Sequence, residues 1–191
     1  MSIRIIAGEF KNRELYELKN PEGNVRPILA RVRKSLFDIL TPRLADSKFL
    51  DLYSGTGAVG IEAVSRGVQY SVFVDLQLVS IDVLKKNIEK LGIAGKSFVF
   101  QADITGGLQW VSSKISDKFD IIFMGPPYKE KLVNATLQAI SQSGILADSG
   151  IIIAQHHAKE EADTELYNMY RQKKYGDTIL SFYNKKKELV K

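Results

Sequence analysis

A chain of 191 residues that is 45% hydrophobic and 26% charged, with five prolines and fourteen glycines, has the composition of one folded domain with a short appendage. It contains no cysteine, which excludes disulfide scaffolds, thiolate metal sites, iron–sulfur clusters and cysteine nucleophiles. The net charge of +5 is unevenly placed: residues 1–34 hold eight Lys/Arg against four Asp/Glu, residues 171–191 hold seven against two, and the middle is acidic. No run approaches the ~20 apolar residues of a membrane span, so a soluble, cytoplasmic protein is expected.

In chain order, a short strand-like Ile3–Ala7 leads into a polar stretch ending at Val25, and residues 1–26 read as a hairpin-like β extension of the main domain. A helix is expected from about Leu29 to Leu40, with Pro27 at its start and Pro42 at its end. Clustered cations concentrate a polyanion, and an arginine fork matches phosphate oxygens and stacks on bases. Arg4, Arg26, Arg31, Arg33 and Lys34 are therefore the expected nucleic-acid contacts. The lysine run Lys185–Lys187 is assigned to solubility.

From there, short apolar or β-branched runs alternate with helical segments. Strands are expected at Phe49–Tyr53, Ser71–Asp75, Phe98–Gln101, Phe119–Met124 and Gly150–Gln155. Helices are expected at Ala58–Arg66, Leu76–Leu91 and Lys131–Ser143, the first two closed by Gly67 and Gly92. Tyr170–Tyr175 and Thr178–Tyr183 flank Gly176-Asp177, a turn signal for an antiparallel pair. Such alternation means a mostly parallel sheet covered on both faces. Residues 27–191 form this α/β domain.

The segment Asp51-Leu-Tyr53-Ser-Gly55-Thr-Gly57-Ala-Val-Gly60 follows the first sheet strand and opens a helix. Its glycines allow a tight turn and a close ligand approach. Taken alone, G-x-G-x-x-G fits a dinucleotide or S-adenosylmethionine. Asp75, at the second strand's end, would grip ribose hydroxyls in either ligand. Asp51 separates the two, because it would orient an ammonium and repel a pyrophosphate. Asp103, after the third strand, is placed to accept from an adenine amine. Three acids at consecutive strand ends favour S-adenosylmethionine. The adjacent His156 and His157 point to opposite sides of an extended chain, so no metal site is expected.

The fourth strand ends Met124-Gly125-Pro126-Pro127-Tyr128. The two prolines fix a rigid turn at the carboxyl edge, where open α/β sheets hold ligands, and Tyr128 offers a ring for stacking a base. Gly-Pro-Pro-Tyr resembles the Asp/Asn-Pro-Pro-Tyr motif of methyltransferases acting on exocyclic amines of bases. With Arg4–Gly8, Val25–Pro27, Arg31–Arg33, Asp51–Gly57, Glu62–Gly67 and Tyr175–Tyr183, nearly the whole chain resembles the RsmD family, bacterial enzymes that methylate N2 of a guanine in small-subunit ribosomal RNA.

The resemblance implies a Rossmann-like class I methyltransferase with a seven-stranded, mostly parallel sheet and an antiparallel C-terminal hairpin. It implies that S-adenosylmethionine is held by Asp51, Tyr53, Gly55, Gly57, Asp75 and Asp103. Gly125, Pro126, Pro127 and Tyr128 then form the catalytic motif, and ribosomal RNA or the assembling small subunit is the partner. Two positions depart from the family pattern: Gly125 stands where Asp or Asn is expected, and Ile28 where a polar residue is common. A guanine amine has a delocalised lone pair, and losing one preorganised acceptor typically costs ~10²–10³ in rate. What remains is the Pro126 carbonyl, stacking on Tyr128 and proximity, itself worth roughly 7–11 kcal/mol. The alternative is an RNA-binding relative that keeps the donor pocket without turnover.

Overall fold

The computed structural model describes residues 3–18, 28–128, 130–162 and 165–186. Five apolar runs form the parallel part of one sheet: β1 (Lys48–Leu52), β2 (Tyr70–Asp75), β3 (Ser97–Gln101), β4 (Phe119–Met124) and β5 (Leu146–His157). β6 (Tyr167–Tyr175) and β7 (Thr178–Lys185) are antiparallel, joined through Gly176 with φ +62°. The order β3-β2-β1-β4-β5-β7-β6 reverses direction between β1 and β4, the crevice where such sheets take ligands.

Both faces of the strands are apolar, and each face has its own core. Phe49, Phe73, Ile121, Phe123, Ile153 and Phe182 pack under α1 (Ala30–Leu44), α2 (Ala58–Ser65) and α3 (Leu78–Leu91). Leu50, Leu52, Val72, Val74, Ile122 and Met124 pack under α4 (Gln109–Lys114) and α5 (Val133–Ser143). Along β1, Phe49 and Leu50 point to opposite cores, the two-residue period of a strand. Gly92 caps α3 with φ +68°, its N–H reaching the Glu89 carbonyl. Among the described residues no helix is long and apolar enough to cross a membrane.

Several boundaries differ from expectation. α1 runs through Pro42 to Leu44. Pro42 offers no N–H to the Asp38 carbonyl, but both residues are exposed or partly so, and the preceding turn is tied by Thr41 Oγ1 donating to the Phe37 carbonyl at 2.8 Å. β5 begins at Leu146, four residues before Gly150. The ladder shifts register between Phe119 and Ile121, and the exposed Asp148 and Ser149 hide the strand's start. α4 has six residues, too few for a helical period to be visible. Pro27 lies outside the described residues.

The amino-terminal extension has a hairpin-like course, with an antiparallel bridge between Arg4 and Glu14 and a bond from Leu15 N–H to the Ile3 carbonyl. It docks into the domain's own core through Ile5 and Leu15, both buried. Gly8 is obligatory at the contact: with φ +85°, an added Cβ would sit 1.8 Å from the Ser65 carbonyl oxygen. Glu62 of α2, fully buried, is the hub. Its carboxylate accepts the N–H groups of Ile6 (2.8 Å) and Ala7 (3.0 Å) and the Arg66 Nε (2.8 Å), with Arg33 Nε 3.8 Å away.

Removing one partner of a buried charge pair leaves the other charge uncompensated, at ~3–5 kcal/mol. Glu62→Gln is therefore expected to lower the melting temperature by roughly 6–20 °C in a domain of this size, whereas Asp38→Ala, which breaks the exposed pair with Lys34, shifts it little. Thermal unfolding of the two variants checks this; equal melting temperatures would refute the hub assignment.

Candidate active site

The loop between β1 and α2 turns on three left-handed residues in five: Tyr53 (φ +60°), Gly55 (φ +54°) and Gly57 (φ +85°). At Gly57 the tight fit adds to the strain, since a Cβ would lie 2.3 Å from Leu84 Cδ1. Gly55 differs: nothing lies within 4 Å of its missing Cβ, so the backbone there is open to a ligand. Gly60 closes the helix onto β2, its Cβ position lying 2.3 Å from the Phe73 ring. Gly60, the third glycine of the spacing, is not among the expected cofactor contacts and serves this packing.

Two acids pin this loop. Asp75 Oδ2 accepts the Gly55 N–H at 2.7 Å and Oδ1 accepts that of Gln77 at 2.9 Å. Asp51, 1% exposed, accepts the Gly60 N–H at 2.8 Å. Burial pushes the Asp51 carboxyl up to about 7, against the pull of that bond and with Asp75 adding to the rise. Burial also raises Asp75. Asp103 is different: exposed beyond β3, it accepts from Thr105 Oγ1 (2.6 Å) and N–H (2.9 Å), which hold it below the ordinary carboxylate range. Just past Asp75, Leu76, Leu78 and Val79 are apolar yet 53–67% exposed, which sequence reasoning did not single out.

Gly125 needs no glycine backbone. Its φ is not left-handed, its N–H reaches the Leu52 carbonyl at 3.3 Å, and an added Cβ would meet only the Phe123 ring, at 3.4 Å. Pro126 is buried, and the Pro127 carbonyl accepts the Glu130 N–H at 3.1 Å. Tyr128 is half-buried and anchored: its hydroxyl meets Gln155 Nε2 at 3.0 Å and Thr178 Oγ1 at 2.9 Å, and its ring meets His157 edge-on at 5.8 Å.

A cavity of about 150 Å³ gathers Asp51, Tyr53, Gly55, Phe123, Gly125 and Gln155 on the sheet side. Ile3, Glu17, Leu18 and Ile28 line its other side, so the amino-terminal extension roofs the crevice. Gly57, Asp75, Asp103, Pro126, Pro127 and Tyr128 are not part of its lining, although Asp75 and Tyr128 bond to the lining residues Gly55 and Gln155. Tyr53 is fixed by its hydroxyl, 2.8 Å from Thr136 Oγ1, and burial raises that hydroxyl to about 12.

The expected RNA contacts divide. Arg4 is exposed and paired with Glu14, Arg31 is exposed, and Lys34 is exposed with Asp38 at 2.7 Å. Arg33 is a correction. It is 2% exposed, on the inner face of α1, and its guanidinium donates to the Arg4 carbonyl beside Glu62, out of reach of a phosphate. Arg26 lies outside the described residues. His156 is buried with Nε2 2.8 Å from Ser181 Oγ, and burial lowers it.

A family model described as Conserved hypothetical protein 95 matches residues 3–184. The Ribosomal RNA small subunit methyltransferase D of Buchnera aphidicola subsp. Acyrthosiphon pisum (strain APS) is 31% identical over 172 residues, covering 90% of this chain and 87% of the relative. The solved structure of the hypothetical protein TTHA0928 of Thermus thermophilus has a TM-score of 0.78 at 27% identity, over 95% of this chain and 99% of that one. An RNA methyltransferase from Salinibacter ruber, solved with S-adenosyl-L-homocysteine, shares the fold with a TM-score of 0.65 at 12% identity, over 86% of this chain and 96% of that one. With the class I methyltransferase sheet and the rim motifs in place, the chain belongs to the Conserved hypothetical protein 95 family, the RsmD family that its motifs resemble.

Proposed function

We propose that the chain transfers a methyl group from S-adenosylmethionine to the exocyclic N2 amine of a guanine in small-subunit (16S) ribosomal RNA, acting in the cytoplasm on the RNA or the assembling subunit. One observation carries this reading beyond family membership. The glycine loop, a buried carboxylate and Gly125, the residue that opens the Pro-Pro turn, line one crevice at the sheet's carboxyl rim.

The residues fit the donor. Asp51 is a buried carboxyl that a methionine ammonium would hold ionised, and Gly55 leaves the loop backbone open to approach. Asp75 stands at the ribose position, Leu76, Leu78 and Val79 give adenine an apolar shelf, and Asp103 supplies an acceptor at the next strand end. The roofed cavity is smaller than the ~300–1,000 Å³ of a typical small-molecule site, so it suits the methionine end and leaves adenosine at the open rim. When bound, S-adenosylmethionine supplies a methyl group activated by a sulfonium. The Pro126 carbonyl accepts an N–H of the target amine, which draws the lone pair out of conjugation with the ring. Tyr128, its hydroxyl held on two strands, presents a fixed ring to the base.

RNA contact draws on the exposed Arg4, Arg31 and Lys34. It also draws on a groove at the opposite edge of the sheet, where Arg43, Arg171, Lys185 and Lys186 surround the exposed Tyr170, with Asp148 the one acid among its lining residues. The reading takes Lys185 and Lys186 as RNA contacts instead of solubility residues, because an aromatic ring among cations suits a single strand.

Three outcomes are expected. Radiolabelled methyl groups should pass from the donor to unmethylated small-subunit RNA or its assembling subunit and be recovered as N2-methylguanosine; no label at high enzyme concentration would contradict the proposal. Donor affinity should rise by up to about ninefold from pH 6 to pH 8, because a carboxyl with a pKa of about 7 goes from about one-tenth to about nine-tenths ionised over that range. The dependence should vanish in Asp51→Asn, as read by calorimetry. The same shift acts on the fold with the opposite sign, since the folded chain holds a proton that the unfolded chain releases near 3.9: this stability is present below about pH 4 and is lost as pH rises through about 7. Finally, Arg171→Ala with Lys186→Ala should flatten the dependence of log K for RNA on log salt by about 1–2 and leave donor affinity unchanged. An unchanged slope would return the groove to a solubility role.

A further inference from the structure

The strand end carrying Gly125 has a neighbour with a side chain. β4 and β5 run parallel with Met124 beside Ala154, so the next pair across the rim is Gly125 beside Gln155. Neighbours in a parallel pair point to the same face, on strands about 4.8 Å apart. Gln155 therefore flanks the space that a side chain at position 125 would enter, and that space is open, since a Cβ there meets only the Phe123 ring at 3.4 Å. Both residues line the same cavity, together with Asp51 and Phe123.

Gln155 is 6% exposed, a depth at which an amide needs partners. Its Nε2 donates to the Tyr128 hydroxyl at 3.0 Å, which fixes the planar amide and leaves Oε1, an acceptor only, on the side away from that bond. We propose that Gln155 supplies the side-chain oxygen that accepts an N–H of the target amine, in the gap left by the missing side chain at Gly125. The inference rests on the amine-methylation reading above. Two acceptors, Pro126 carbonyl and Gln155 Oε1, then hold the two N–H bonds and leave the lone pair facing the donor. As the nitrogen–methyl bond forms, the methyl–sulfur bond breaks with its pair staying on sulfur, and the nitrogen's proton leaves to water. The amide takes no proton at any point. A neutral acceptor also suits a rim that already carries Asp51 and Asp75, where a further carboxylate would add like charge.

Single-turnover methyl transfer at saturating donor and small-subunit RNA tests this, with donor affinity measured by calorimetry. Gln155→Leu should slow transfer by ~10²-fold with donor affinity unchanged, and Gln155→Glu, which keeps an accepting oxygen, should recover most of the rate. Tyr128→Phe, which removes only the anchoring hydroxyl, should cost much less than Gln155→Leu. In a Gly125→Asp background, Gln155→Leu should cost less than about tenfold, since the new carboxylate supplies the acceptor. A second readout needs no turnover. In donor-free protein followed by NMR, 5′-GMP should bind more tightly than 5′-IMP, which lacks the amine, and Gln155→Leu should narrow the difference to what the Pro126 carbonyl alone supplies. The proposal is overturned if Gln155→Leu keeps its rate, if Tyr128→Phe reproduces its loss, if GMP and IMP bind alike, or if the unaltered chain is silent while Gly125→Asp turns over. Silence of both would instead remove the amine-methylation reading itself.

Discussion

Two backbone N–H groups, those of Gly55 and Gly60, end on the carboxylates of Asp75 and Asp51, and the geometry of the crevice follows from them. The loop they hold has three residues in the left-handed region, a conformation that a free chain leaves readily. Strand ends are rigid and loops are not, so a carboxylate on a strand that grips a loop amide transfers the sheet's rigidity to the loop. The arrangement also keeps two acids in a dry place. Their charge is therefore expensive without a cationic or hydrogen-bonding ligand, and a ligand that brings an ammonium and hydroxyls is favoured there electrostatically.

A second carboxylate hub links this crevice to what covers it. Glu62 lies on α2, the helix that the glycine loop opens, and binds the backbone of the amino-terminal extension on its far side. Asn87 of α3 extends the same seam, accepting the Tyr16 N–H at 2.7 Å and donating to the carbonyls of Tyr16 and Thr56. Thr56 belongs to the glycine loop, so one side chain bridges roof and floor. A segment that looks like an appendage is therefore part of the wall of the site. Ile3, Glu17 and Leu18 line the crevice while Arg4 remains on the surface.

What could be read from the sequence is what depends on local chemistry. The strand cores, the caps at Gly67 and Gly92, the turn at Gly176-Asp177 and the glycine loop all carry their signal within a few residues. What could not be read depends on partners far along the chain. Arg33 looks like its exposed neighbours Arg31 and Lys34, and only the packing of α1 turns it inward onto Glu62. Asp103 looks like the other two strand-end acids, but its strand is at the sheet's edge and its carboxylate is exposed. α4 is too short to show a period, and the start of β5 is masked by polar residues at a register shift. The place of Gln155 beside Gly125 needs the strand register, and the roof needs the long-range bonds to Glu62 and Asn87, which no single segment contains.

The remaining departure, glycine at the start of the Pro-Pro turn, is chemical and not conformational. The backbone at Gly125 suits any residue and the space beside it is free, so its consequence is the absence of one side-chain acceptor at this strand end. The most direct measurement of the account is a crystal structure with S-adenosyl-L-homocysteine. It predicts the amino group within hydrogen-bond reach of the Asp51 carboxylate, with the chain passing over Gly55 and the adenine on Leu76 and Val79. Ligand density elsewhere, or a crevice still closed by Ile3 and Leu18 at saturating ligand, would contradict it.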